Sequence, residues 1–223
     1  VNAGLFKYSD NEAQFASVIS HELAHLSQRH FARQILEGSD RSNQSLATVL
    51  ASIVVAVATS SPAAVIGGQG ILASQQLRFS RLYETEADRE GYVTLQKAGY
   101  DTVEMSEMFK NMQEVRRLSG DNMPEFLLTH PITTRRITES RERAREYPSP
   151  GKKDSLNFRL IKKRVQYLMT DNLSIRAMEK EIGSNDEDIY FRALIEKKKL
   201  NFTRSIELLK MLEKKHPDNL III

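Results

Sequence analysis

The sequence predicts a mainly α-helical chain in two parts: a larger helical domain, residues 1–147, and a set of helical hairpins, residues 155–223, joined by a linker at 148–154. Three observations predict it. Apolar residues recur at helical spacing, strand signals are weak throughout, and Tyr147-Pro148-Ser149-Pro150-Gly151 interrupts the chain where no helix can continue. Charge divides at the same place. Up to residue 150 there are 16 Lys+Arg against 18 Asp+Glu, a net of −2; beyond it there are 16 against 11, a net of +5.

The elements follow in order. Ser9-Asp10-Asn11-Glu12 fits a capping box, and Phe15, Val18, Ile19 and Leu26 then keep helical phase, which predicts one long helix up to Gly38. Residues 42–77 carry no charge. The longest apolar run there is too short to span a bilayer, which takes about 20 residues. A buried helix, a lid over a cleft and a shallow, peripheral membrane-inserted segment stay open, with a helix plus a lid loop favoured. A second, charged helix starts near Arg81 and is punctuated by Gly91 and Gly99; a third runs from Val103 to Leu118 before Gly120. After the linker, Leu156, Leu160, Ile161, Val165, Leu168 and Met169 form an apolar stripe, followed by a shorter helix from Ser174 to Ile182. A second pair covers Asp186 to Lys199 and Thr203 to His216, turned at Leu200-Asn201 and closed by Pro217. Paired helices, Ala193 and the closing proline are consistent with a tetratricopeptide repeat of about 34 residues. The usual Gly near Ala193 is missing and Ser205 stands where Ala is commoner, so a generic helical hairpin is the plainer alternative.

Composition narrows the chemistry. The absence of Cys excludes a disulfide framework, thiol catalysis and cysteine-built metal sites, so any metal must be held by His and carboxylates. The basic C-terminal part alternates Lys and Arg with Asp and Glu and lacks interleaved aromatics, which reads as a solvated helical face and not a nucleic-acid surface. The chain opens at Val1 without Met and without a leader, so a signal peptide has either been removed or never existed, and it closes on apolar Leu220 to Ile223, so the natural chain is expected to continue.

His21-Glu22-Leu23-Ala24-His25 is an HExxH motif on the first predicted helix. At about 100° per residue the two histidines lie about 40° apart, so both imidazoles reach one ion from a single face. Glu22 and Leu26 fall in the same sector, and the whole set is expected to face inward. A carboxylate among apolar neighbours is costly to bury unpaired, so this position asks for a metal, a water or a cation. Chance coincidence on a surface helix is the bland alternative; helical phase and three histidines within ten residues weigh against it. Catalytic zinc takes three protein ligands and leaves a fourth position open. Gln28 and Phe31 stand where metzincins would supply Gly and His, and His30 is off register by one. A carboxylate from another helix is the remaining solution. Of Glu84, Glu86 and Asp88, only Glu84 and Asp88 share a face; one would bind the ion and the other accept a hydrogen bond from a ligand histidine, leaving Glu86 structural. Two imidazoles and a carboxylate suit a zinc ion, one per chain.

Three blocks, His21-Glu22-Leu23-Ala24-His25 through His30, Ser80-Arg81 through Glu84-Thr85-Glu86-Ala87-Asp88, and Thr129-His130-Pro131 through Arg136-Ile137, together resemble the zinc metallopeptidases related to the CAAX prenyl proteases. Within these, the BepA-like periplasmic branch, a protease followed by tetratricopeptide repeats, is most similar, and the resemblance spans nearly the whole chain. It implies a zincin-like metallopeptidase domain with His21, His25 and Glu84 as zinc ligands, Glu22 as the catalytic base and Asp88 behind a ligand histidine. It also implies a further stretch before Val1. By composition His130, before a proline, reads as a turn residue; the resemblance implies instead that it occupies the open zinc position and holds the enzyme off. Arg136, or less so Arg135, would steady the developing oxyanion or form a surface salt bridge.

Two function classes follow. One is a zinc endopeptidase in the periplasm acting on misfolded or unassembled envelope polypeptides, in outer-membrane protein quality control, with the repeats engaging substrate or the outer-membrane assembly machinery. The other is a repeat-based chaperone or adaptor whose metallopeptidase domain is latent.

Overall fold

The computed structural model describes residues 3–33, 81–119, 130–149 and 151–222. Among them the secondary structure is helical, without strands. Helices α1 (Ala3–Tyr8), α2 (Glu12–Ser27), α3 (81–97), α4 (Val103–Ser119) and α5 (Thr134–Glu146) form the N-terminal part. Helices α6 (Leu156–Met169), α7 (Asn172–Glu179), α8 (Asp186–Lys198) and α9 (Phe202–Lys215) follow. The mainly α fold class holds. The uncharged stretch 42–77, with its lid and membrane readings, lies outside the described residues. No described helix is long and apolar enough to cross a membrane.

The first predicted helix is corrected at both ends. Ser9 is occupied by the end of α1, donating its hydroxyl to the Leu5 carbonyl at 2.6 Å. The cap moves to Asn11, whose side chain accepts the Gln14 N–H at 2.9 Å while the Gln14 side chain accepts the Asp10 N–H at 2.8 Å. Nor does the helix run on unbroken to Gly38. It stops at Ser27, Arg29 takes the left-handed φ of 54°, and a new helical turn begins at residue 30. Gly91 corrects a second expectation: it sits inside α3, and the left-handed Gly99 (φ 78°) closes that helix. A Cβ on Gly91 would stand 3.0 Å from both N and Cα of His21. The missing side chain therefore lets α3 cross α2 directly at the HExxH motif.

The core beneath this crossing joins Tyr92 and Leu95 of α3, Met105, Met108, Phe109 and Met112 of α4, and Ile137 and Ala144 of α5. The Tyr92 hydroxyl reaches the Tyr147 and Arg143 carbonyls at 2.9 and 3.1 Å, fastening α3 to the end of α5. Helix α5 has no counterpart among the predicted elements, because its buried face is narrow and its composition strongly charged.

Beyond the linker, Ser155, Asp171, Asn185 and Asn201 cap the four C-terminal helices in turn. Helices α8 and α9 pair through Tyr190 and Leu212, and the buried Ser205 donates to the Ala193 carbonyl at 2.8 Å. The linker is pinned along the N-terminal part. Asp154 accepts the Glu12 N–H, Glu12 accepts the Ser155 N–H, and Lys162 of α6 donates to the Ser9 and Asp10 carbonyls between α1 and α2. Phe6, Phe15 and Phe158 meet in one aromatic cluster beside these bonds.

Candidate metal centre

Antiparallel to α2 at their crossing, α3 presents Glu84, Asp88 and Gly91, one stripe at four- and three-residue intervals, to the stripe of His21 and His25. Gly91 meets the His21 backbone, Asp88 the His21 ring, and Glu84 the His25 ring. The Nε2 atoms of His21 and His25 are 3.0 Å apart. Glu84 Oε1 lies 3.3 Å from His25 Nε2 and 3.0 Å from Nδ1 of His130, which enters from the segment before α5. His130 Nδ1 is also 3.5 Å from His21 Nε2, and its Nε2 is 3.4 Å from Glu22 Oε1. His21 and Glu84 are buried, His130 is partly open, and the Glu22 side chain is 47 % exposed at the mouth of the cluster.

Behind the cluster stands a buried ion pair. His21 Nδ1 lies 2.9 Å from Asp88 Oδ1, and Asp88 takes two 2.7 Å hydrogen bonds from Nε and Nη2 of Arg136. The third guanidinium nitrogen lies 2.8 Å from Glu84 and donates to the Pro131 carbonyl at 3.0 Å. Burial raises the cost of charging each of these groups, but their mutual contacts overcome it. The contacts from His130, His21 and His25 and the charge of Arg136 hold Glu84 well below the usual carboxylate range; His21 and Arg136 do the same for Asp88. Burial alone would lower the His21 imidazole, yet Asp88 and Glu84 push it up to about 9 in the metal-free protein.

The residues fit a metal ion. One donor atom from each of His21, His25, Glu84 and His130 lies within 4.8 Å of the others. Three imidazoles and a carboxylate are the donor chemistry of zinc and its transition-metal neighbours, not of calcium or magnesium.

The sequence profile of peptidase family M48 matches residues 1–144, well over half of the chain. The chain belongs to peptidase family M48. This M48 chain is 34% identical to the putative beta-barrel assembly-enhancing protease of Vibrio cholerae over 229 residues, 98% of this chain and 47% of the relative. It is 34% identical to the beta-barrel assembly-enhancing protease of Escherichia coli K12 over 167 residues, 74% of this chain and 34% of the relative. The mitochondrial metalloendopeptidase OMA1 of Arabidopsis thaliana is 30% identical over 136 residues, 61% of this chain and 25% of that protein. The chain thus spans half or less of the length of these curated relatives.

In this M48 chain His21, Glu22, His25, Glu84, Asp88, His130 and Arg136 fall in one cluster. Arg135 does not: it is exposed and pairs with Glu139 at 2.5 Å. Two expectations change. Leu26 is 73 % exposed among the described residues, so the inward sector ends before it. Arg136 turns its nitrogens to Asp88, Glu84 and Pro131, so the salt bridge it forms is buried behind the cluster and not on the surface. Sequence reasoning passed over Gly91, read as punctuation, and Glu86, read as structural. It also set His30 aside as off register. Their signal is tertiary, since each matters only once α2 and α3 are crossed.

Proposed function

We propose that this chain carries the catalytic part of a zinc-dependent endopeptidase, in which His21, His25 and Glu84 hold one zinc ion and Glu22 is the catalytic base. One observation carries the reading: two imidazoles of α2 and a carboxylate of α3 converge, with Glu22 beside them at the open edge. When bound, the ion supplies Lewis acidity toward the scissile carbonyl and lowers the pKa of a water from about 16 to about 7. Glu22 takes the proton from that water and delivers it to the leaving amine. Asp88, 2.9 Å from His21 Nδ1, would keep the His21 Nε2 turned toward the ion, while Arg136 holds Asp88 in place.

His130 acts as a latch. As a fourth donor it takes the position that the attacking water needs, and its other ring nitrogen faces the base. Replacing His130 with Ala is expected to change the cleavage rate without emptying the metal site; an unchanged rate, or loss of metal, rejects the latch.

The names of the relatives and the helical C-terminal part support the biological setting. The substrates are misfolded or unassembled envelope polypeptides, the setting is outer-membrane protein quality control in the periplasm, and the tetratricopeptide-like hairpins engage substrate or the assembly machinery.

Glu22→Gln tests the chemistry. It should retain zinc by elemental analysis and lower casein cleavage by at least about 100-fold. Cleavage near the original rate refutes the assignment. The four C-terminal helices favour a second reading, a repeat-based adaptor with a latent peptidase. In that case Glu22→Gln leaves client holding intact, while neither the unaltered protein nor His130→Ala cleaves.

A further inference from the structure

Behind His25 lies a chain of polar contacts that the proposed chemistry does not use. Nδ1 of His25, the ring nitrogen turned away from the donor cluster, stands 2.9 Å from Nδ1 of His30. His30 Nε2 stands 3.2 Å from Oε2 of Glu86, and Arg33 donates to both oxygens of Glu86, at 3.0 and 3.3 Å. His30 is only 4 % exposed, and its ring lies over that of Tyr83 with centroids 4.8 Å apart. The break at Arg29 makes this meeting possible. On an uninterrupted helix His30 would sit about 140° around the axis from His25 and could not reach it. The left-handed Arg29 starts a new turn there and brings the ring back.

We propose that His30 is a positioning residue for His25, fixing its tautomer and ring plane through Nδ1, with Glu86 and Arg33 as the outer anchor. The inference rests on the reading of His25 as a metal ligand. Proton counting leaves one arrangement. Two ring nitrogens 2.9 Å apart share a single proton. With the Nε2 lone pair of His25 committed to the donor cluster, that proton belongs to His25 Nδ1 and is donated to His30. The proton of His30 is then on Nε2, 3.2 Å from an oxygen of the Glu86 carboxylate. His21 is served in parallel by Asp88 and Arg136. Three of the four carboxylates of α3 therefore divide their work: Glu84 faces the ion, Asp88 backs one histidine directly, and Glu86 backs the other through His30.

The test measures zinc affinity of the whole chain by competition with a chromophoric chelator, a readout that needs no substrate, together with kcat and KM. Here His30→Leu removes the acceptor at similar volume, while His30→Asn places an amide oxygen where Nδ1 stood. Zinc affinity is expected to fall about 10–100-fold in His30→Leu, with the loss in turnover carried by kcat, and to be largely restored in His30→Asn. Unchanged affinity in a folded His30→Leu protein overturns the proposal. So does an equal loss in both variants, the mark of a packing defect. If His30→Leu fails to fold, the more exposed Glu86→Ala decides: weaker zinc binding supports the chain, and unchanged binding overturns it. The underlying ligand reading fails differently, through an unaltered protein that binds no zinc or a His25→Ala variant that binds it undiminished.

Discussion

Replacing Arg136 with Met, a side chain of similar length without charge, is expected to destabilise the metal-free protein by about 3–5 kcal/mol. The magnitude follows from what the guanidinium touches. Two hydrogen bonds of 2.7 Å go to the carboxylate of Asp88, and hydrogen bonds to a charged group contribute about 1.5–3 kcal/mol each. Contacts at 2.8 Å to Glu84 and 3.0 Å to Pro131 add to this. Both carboxylates are under a tenth exposed, so solvent cannot replace the lost partner, as it does for surface pairs worth about 0–1 kcal/mol. A loss of 3–5 kcal/mol lowers the folding constant by roughly 100- to 5,000-fold. For a chain of this length it lowers Tm by roughly 6–20 °C. Urea unfolding followed by circular dichroism measures it, with a constant m-value as the check that the unfolded state is unaltered. Arg136→Lys, which keeps the charge but loses the two-pronged geometry, should fall between. The gap between Arg136→Met and the unaltered protein should narrow as the pH falls below about 4, where the freed carboxylates take up protons. A change within about 1 kcal/mol in Arg136→Met, or a gap that widens in acid, refutes the account.

Two further expectations concern the same crossing of helices. Because the His21 pKa is raised to about 9 in the metal-free protein, by contacts that outweigh its burial, the stability it contributes is fully present below its unfolded value near 6.5 and is lost as the pH rises through 9. Tm of the metal-free chain should therefore fall between about pH 6.5 and 9, and excess zinc, which displaces that proton, should flatten the dependence; a flat metal-free profile sinks the argument. At Gly91, an added Cβ would meet the His21 backbone at 3.0 Å and force α2 and α3 apart by tenths of an ångström. Gly91→Ala is thus expected to weaken zinc binding by about 10-fold or more while the circular dichroism spectrum stays helical, and unaltered affinity by chelator competition counts against the crossing as drawn.

What was legible in the sequence was whatever a single helix determines by itself. The four-residue spacing of His21 and His25, and of Glu84 and Asp88, places each pair on one face, and the structure sets those faces opposite each other. Which of Glu84 and Asp88 faces the imidazole Nε2 atoms is not a property of α3 alone. It depends on the antiparallel crossing at Gly91, which puts Asp88 beside Nδ1 of His21 and Glu84 one turn further along, next to His25. The four C-terminal helices were legible for a related reason: the apolar stripe from Leu156 to Met169, the Leu200-Asn201 turn and the closing Pro217 are local signals, though the second helix runs over Asn172–Glu179 and not from Ser174 to Ile182, because Asp171 caps it earlier.

The end of α2 was illegible for the opposite reason. Nothing in Leu26-Ser27-Gln28-Arg29-His30-Phe31 breaks a helix by propensity, and no glycine marks the left-handed residue. An arginine in that conformation costs roughly 1–2 kcal/mol, so the reason for it must lie in contacts made after the chain turns. Those contacts are His30 against His25, Tyr83 and Glu86, all on the far side of α2 or on α3. Helical phase counts Glu86 as roughly half a turn off the ligand face and so assigns it no task, and it counts His30 as pointing away from His25. Both statements are true of ideal helices. They fail here because the departure from ideality at Arg29 wraps the end of α2 around α3, so that a carboxylate off the ligand stripe still reaches a ligand histidine through one intervening ring.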